Sequence, residues 1–527
     1  MEGVVKNMSG QPISGAFVKL KNADRRLTFM VISQAHGRYK ADRLLAGKYI
    51  VQGVGNGYQS EWSKPLDVAE GKTANVDLSL RSPQSPMLAP AWPARSPEEQ
   101  LANLNLPDGE GKQMVSARCA SCHEANRVAR SRKDRDGWQR TITAMRENMK
   151  GAKLPDLTDE EAKTIVDYVA TNFTLLPAPD PNSRLPRTLL KGEATKYRVV
   201  VYELEDTAAQ THDIAVDYDG NGWTNEIDGG KLGRLNAETL EFSEMTPPVS
   251  KAKHARPGHP AITASGVIWL PDGSAAERRW LSYDIKAAKW TSYDFPTTIR
   301  GGPSGNQMSF APDGTIWMTG PGAARSFNPI TKEWHSFDSP SWKQGPGGYG
   351  LTVASDGKVW FAENNVDRLA RVDPATGTVD EFKIPTQGHP GSYPGATLYP
   401  RRLGADAEGN VWVGLWLAGK LLKVNSKTAE MTAYTPPSGE LSGPYGASVD
   451  KKNNLVWTTL HRVDKLARFN PKTQEWLEYP LPEAQTDVRE IGVDPSNPNR
   501  VWFSGAGDYY KGRALMGYLE VLDGKGK

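Results

Sequence analysis

Cysteine is nearly absent from this chain, with two in 527 residues. No apolar run approaches the roughly 18 residues that a bilayer-spanning helix needs, so no membrane span is expected. An excess of charge of one sign is also missing, with Lys+Arg 64 against Asp+Glu 61. That balance argues against a surface built for nucleic acid or an anionic membrane. There is no nucleotide-binding glycine motif. Nor is a leader segment expected in "MEGVVKNMSG", which runs straight into strand-like alternation.

The two cysteines that do occur stand together in "SARCASCHEANRV", as Cys119 and Cys122 with His123 directly behind them. C-x-x-C-H is the attachment signature of a c-type haem. Two thiols add across the haem vinyl groups, and the adjacent histidine is held under the iron as proximal ligand. A thioredoxin-like dithiol would need a βαβ setting that is lacking here. A zinc site would need further Cys or His nearby, and the next histidine is His212. One covalent haem c leaves no cysteine for a disulfide, so the folds must stand on their cores. Haem is attached to this motif outside the cytoplasm. The expectation is therefore a periplasmic protein whose export signal is absent from this sequence.

The length suggests about three domains, and the expected class is multidomain and mainly β. Residues 1–80 alternate apolar and polar at period two in "AFVKLKN", "GRYKADRLLAGKYIVQGVGNGY" and "ANVDLSL", divided by Gly, Asn and Asp turns. These lines resemble the carboxypeptidase regulatory-like domain, a small immunoglobulin-like β-sandwich, which implies a stabilising or docking module without chemistry. His36 falls on an expected solvated turn. The proline-rich stretch 81–95, "RSPQSPMLAPAWPAR", suits a semi-rigid spacer.

Residues 96–175 are helical in period, with Ser96 and Thr158 as N-caps. In "LTDEEAKTIVDYVATNF", Ile165, Val166, Val169 and Phe173 form an apolar stripe. That pattern fits the closing helix of a small all-α cytochrome c domain. The segment resembles the haem domain of quinohaemoprotein amine dehydrogenase, in which a Trp-containing helix carries a methionine seven residues on. Trp138 and Met145 have that spacing, so the resemblance implies Met145 as distal ligand, with Met149 as the alternative and Met114 third. A second linker, 176–195, follows.

Periodicity decides the rest. Trp223, Trp269, Trp317, Trp360, Trp412, Trp457 and Trp502 recur every 43 to 52 residues, each closing a "DG-x-x-W"-type strand. Hairpins such as "KLGRLNAETLEF" and "RLARVDPATGTVDEF" follow. Seven units of four short strands make a seven-bladed β-propeller over 196–522. The last unit is one strand short, and "KYRVVVYEL" (197–205) can supply the outer strand. "WTNEIDGGKLGRL" and "WFAENNVDRLARV" resemble the virginiamycin B lyase (streptogramin lyase) family, which implies the fold more than the activity.

In that family a histidine lies about eleven residues before each blade's Trp, facing the channel. The same offset gives His212, His259, Asn306, Tyr349, Arg401, Tyr445 and Arg489, one polar residue per blade, read here as a ligand-binding ring. The family's glutamate position is met by Glu226 and Glu363. His212 with Glu226 could form a base and its orienting partner, Arg401, aided by Arg402 and Arg489, an anion or carbonyl holder, and Tyr349 and Tyr445 stacking or proton-donating groups. The lyase's late-blade histidine base is missing, which leaves a divalent metal at the propeller centre without support. His335 and His461 are expected on the surface. His254 and His389 lie in loops read as covering the top face, and "GAGDYYKGRAL" is read as a lid or docking loop.

These readings favour an oxidoreductase component in which substrate binds the propeller's top face and one electron at a time leaves through the haem. The alternatives are a non-catalytic electron-transfer or docking subunit, and a lyase-like enzyme with a passenger cytochrome. Partners would be a small-molecule substrate or a redox protein, with no nucleic acid.

Overall fold

A computed structural model describes residues 1–90, 106–119, 128, 132–151, 154–274, 276–303, 305–388, 397–505 and 514–522. Six four-stranded antiparallel sheets follow one another from residue 211 to 480. The first runs Thr211–Val216, Gly222–Glu226, Lys231–Leu235, Phe242–Met245 from inside to outside. We number these sheets as blades 1 to 6. Blade 7 contributes Val488–Val493, Arg500–Gly505 and Leu515–Val521. Its fourth, outer strand is Tyr197–Glu203, paired antiparallel to Leu515–Val521, so the ring closes with a strand from its other end. This is the strand that the short last unit called for.

The recurring tryptophans explain why the blades stack. All seven are buried, each a large apolar body wedged at a blade interface. In blades 1 and 5 the turn aspartate holds its tryptophan, with Trp223 Nε1 donating to Asp217 at 2.8 Å and Trp412 Nε1 to Asp406 at 2.9 Å. Trp502 Nε1 instead donates to Gly220 O of blade 1 at 3.2 Å, across the closure.

The N-terminal sandwich is not a detached spacer. The far edge of Tyr197–Glu203 pairs antiparallel with Leu27–Ile32, from Arg198 opposite Val31 to Tyr202 opposite Leu27. The sheet therefore runs unbroken from blade 7 into Phe17–Asn22 and Gly47–Gly55. One apolar cluster joins Val18, Leu20 and Phe29 to Val200, Trp502 and Tyr518. Pairing removes the exposed strand edge that an outermost blade strand would otherwise leave. The described part of the first linker is packed as well. Ser82–Pro83 pairs with Tyr58–Gln59, and Gln84 Nε2 donates to Asn182 O at 2.7 Å in the second linker. Arg184 of that second linker meets Asp464 of blade 6 at 3.0 Å, both buried.

Between the linkers lie the helices Glu110–Met114, Arg135–Gly151 and Asp159–Asn172. Thr158 caps the last one in a reciprocal box with Glu161. Its apolar stripe packs with Val115, Trp138 and Ile142. Ser96 lies outside the described residues.

Candidate functional site

In a four-stranded meander, the turn from second to third strand and the crossover to the next blade fall at the same end. These loops form the top face. The haem segment is fixed to it over blades 1 and 2. Lys133 Nζ pairs with Asp228, Arg140 reaches Asp206 at 3.2 and 3.3 Å, and Lys253 N donates to Glu147 Oε1 at 3.3 Å. Burial would raise the Asp228 carboxyl, but Lys133 and Arg256 outweigh it and hold it below its ordinary value.

Of the expected haem ligands, Cys122 and His123 lie outside the described residues. Cys119 ends the helical turn Val115–Cys119 and packs, half-buried, against the segment's apolar core. Trp138, Ile142, Met145 and Met149 fall at i, i+4, i+7 and i+11 of one helix, and so share a face. Met149 is buried in the core and Met145 is half-buried. Met114, the third methionine, packs beside Cys119 against the same core. An apolar helical box offering a thiol and thioethers fits a haem.

The seven ring residues divide into two groups. In the channel, Arg402 is fully buried. Its Nη2 bonds Asp213, and its Nε lies 2.9 Å from Glu490 Oε2. His212 Nδ1 lies 2.9 Å from Asp213 Oδ1 and 3.4 Å from Arg402 Nη2. His259 Nδ1 accepts from Met308 N at 3.3 Å, which leaves its Nε2 proton facing Glu490, 3.6 Å away. Burial would raise the Asp213 carboxyl, yet Arg402, then His212 and His259, hold it far below the usual carboxylate range. Gln307 spans the channel from blade 3, accepting from Leu351 N and Leu403 N, both at 3.0 Å, and donating to Leu403 O at 2.9 Å. Asp213, His259 and Glu490 offer ligand atoms within 4.8 Å of one another. The Arg402 guanidinium supplies the positive charge among them.

The second group lies on the top face at blades 4 to 7. The Arg401 guanidinium sits over four rings: Tyr399 at 3.8 Å, Tyr349 at 4.4 Å, Tyr445 at 4.6 Å and Trp416 at 5.2 Å. The hydroxyls of Tyr349 and Tyr445 bond each other. Tyr445 stacks on His461, whose Nε2 meets Asp487 and whose Nδ1 accepts from Trp416 Nε1 at 3.3 Å. Arg489 closes the chain on Asp487 with Nε at 3.1 Å and Nη2 at 2.6 Å. His461 is thus buried inside the cluster and not on the surface; His335 is exposed as expected. Asn306 lies beside the cluster, donating to Gly348 O at 3.0 Å, and lines with Thr319, Tyr349 and Asn364 a cavity of about 340 Å³.

The expected His212–Glu226 pair does not form. Glu226 Cα stands opposite Thr211, but its side chain turns into blade 1, where Gly233 leaves room against Phe242. Among the described residues neither of its carboxyl oxygens has a hydrogen-bond partner. Glu363 is buried in blade 4 beside Ser339 and Glu381. Burial, helped by Glu244, pushes Glu226 up to about 8, and burial pushes Glu363 up to about 7. His254 is half-buried beside the docked helix, and burial lowers its pKa. His389 and most of "GAGDYYKGRAL" lie outside the described residues.

The offset rule missed Asp213, Arg402 and Glu490, each directly after a ring position. The innermost strands of blades 1, 5, 6 and 7 carry register shifts at Thr211/Ile214, Pro400/Leu403, Pro444/Ala447 and Val488/Glu490. A bulge lets two consecutive side chains leave the strict alternation. In blades 5 and 7 one of the two, Arg402 or Glu490, then reaches the channel and its neighbour, Arg401 or Arg489, the face.

Residues 1–81 match the model of the carboxypeptidase regulatory-like domain, 109–197 that of the haem-binding region of the quinohemoprotein amine dehydrogenase A alpha subunit, and 285–513 that of the virginiamycin B lyase family. The chain resembles all three in succession, and is a haem-binding propeller protein. No curated protein matches it. Among solved structures, a streptogramin B lyase aligns at 18% identity and TM-score 0.52, over 63% of this chain and 100% of its own. Virginiamycin B lyase from Staphylococcus aureus aligns at 18% identity and TM-score 0.51, over 62% and 100%. At that identity the likeness is one of fold. No helix among the described residues is long and apolar enough to cross a membrane.

Proposed function

We propose that this chain is a periplasmic haem c protein that couples occupation of the propeller's top face to one-electron transfer. Cys119 and Cys122 would hold the haem covalently, His123 would be the proximal ligand and Met145 the distal one, with Met149 as alternative. When bound, the haem supplies a one-electron couple. The observation that carries the reading is the docking of the haem segment, by Lys133, Arg140 and Glu147, on the same face that displays the Arg401 cluster. A single rigid face then serves both a ligand and the electron carrier. An elimination mechanism lacks support, because His212 is committed to Asp213 and Arg402 instead of to a free general base.

The test begins with expression in a host that attaches haem c. The protein should retain its haem after acid–acetone extraction, and the double replacement Cys119→Ser, Cys122→Ser should release it, since either single replacement leaves one thioether. Reduction of the ferric protein by a small molecule alone supports a substrate-oxidising role. Reduction that requires a second redox protein supports the docking-subunit variant. A colourless product overturns the reading.

A further inference from the structure

Arg462 lies in the turn His461–Val463 of blade 6, beside the Arg401 cluster, and is 2% exposed. Its stem lies against Gly443, where a Cβ would meet Arg462 Cγ at 2.9 Å and Trp416 Cδ1 at 3.0 Å. Gly443 is left-handed, with φ +65°, so only glycine admits this approach without strain. The guanidinium stacks over Trp416 at 4.6 Å. Arg401 approaches the same indole at 5.2 Å. Two guanidinium groups therefore converge on one tryptophan.

Among the described residues no carboxylate pairs with Arg462 and no acceptor bonds it; its Nε is buried without a partner. Other buried arginines here are neutralised or bonded. Arg402 has Asp213 and Glu490, Arg500 has Asp494, Arg184 has Asp464, and Arg325 donates to the carbonyls of Gly302 and Arg300. Burial, and then Arg401, push Arg462 down to about 10, so it remains a cation at neutral pH. A buried cation without a counter-charge is costly to fold around. A fold bears such a cost where the charge serves a ligand.

We infer that Arg462, with Arg401, forms an oxyanion-binding subsite on the top face, for a small molecule whose carboxylate or phosphate meets the guanidinium pair and whose planar body lies over the half-buried Tyr349, which lines the adjoining cavity. A guanidinium fork matches either oxyanion in bidentate geometry, and aromatic faces favour a flat organic body over a bare ion. The inference rests on the top face being the ligand face. It specifies the chemistry of what binds there.

The test is calorimetric titration of the haem-loaded ferric protein with benzoate, phenyl phosphate, inorganic phosphate and neutral benzamide. An organic anion should bind at least tenfold more tightly than benzamide. Whichever of benzoate and phenyl phosphate is preferred assigns the carboxylate or phosphate class. Arg462→Met should weaken that binding at least tenfold while leaving the thermal midpoint equal or raised, since it removes an unpaired charge from the interior. Arg462→Lys, which keeps the charge but not the fork, should fall between. The inference is overturned if Arg462→Met binds the anion like the parent, if benzamide binds as well as benzoate and phenyl phosphate, if only inorganic phosphate binds, or if the thermal midpoint of Arg462→Met drops. Binding is read without reducing the haem, so it can fail while haem reduction succeeds, and the reverse.

Discussion

Arg402→Ala removes the cation that stands between Asp213 and Glu490 at the centre of the propeller. All three groups are buried, at 0%, 3% and 4% exposure, so water cannot compensate the two carboxylates that remain. Among the described residues, Asp213 keeps bonds from Asn225 Nδ2 at 3.0 Å and from His212 at 2.9 Å, while Glu490 keeps His259 at 3.6 Å. Removing one member of a buried ion pair costs about 3–5 kcal/mol. For a domain of this size that corresponds to a fall in melting temperature of roughly 5–15 °C. The assay is differential scanning calorimetry of the haem-loaded protein, following the propeller transition. The triple replacement Asp213→Asn, Arg402→Met, Glu490→Gln should lose far less than the single one, because the cost lies in the orphaned charges more than in the pair itself. Zn²⁺ should recover part of the Arg402→Ala loss, because Asp213, His259 and Glu490 present atoms within 4.8 Å of one another. An Arg402→Ala protein that melts within about 1 °C of the parent, against the several degrees expected from orphaned charges, would refute the reasoning.

Glu226 and Glu363 give the pH dependence an unusual sign. Their pKa values, about 8 and about 7, exceed the ordinary 4.5. The folded state therefore holds protons that the unfolded chain has released, and stability present below about pH 4.5 is lost as pH rises through 7 and 8. Glu226→Gln should flatten the decline of the melting temperature between about pH 5 and 8, and identical slopes in parent and variant would remove the basis for this prediction. Deleting residues 1–80 should uncover the edge of Tyr197–Glu203 and the apolar residues Val200 and Tyr518, which pack against the sandwich. The truncated chain should aggregate on size-exclusion chromatography, and a monodisperse product with an unchanged melting temperature would contradict a shared core.

Local spacing carried the haem motif, the helix cap at Thr158 and the sevenfold tryptophan repeat, because each is enforced by neighbours close in the chain. The missing strand of blade 7 was legible too, since a repeat one strand short must borrow one from its other end. What spacing could not carry was which of two adjacent polar residues faces inward. His212 and Asp213, or Arg401 and Arg402, are equivalent to any offset rule. Bulges at the start of the innermost strands separate them, sending Arg402 to the channel and Arg401 to the aromatic face. His461 read as surface because its turn is polar in sequence, yet Asp487, Trp416 and Tyr445 arrive from other turns and strands to bury it. The amino-acid order alone determined the three folds and their succession, through short-range periodicity and covalent spacing. The tertiary structure alone decided that the sandwich shares a sheet with blade 7, that a guanidinium fills the channel, and that Arg462 stays unpaired. Each of these depends on which groups meet across hundreds of residues, and hydrogen-bond geometry and charge burial, not sequence separation, select those meetings.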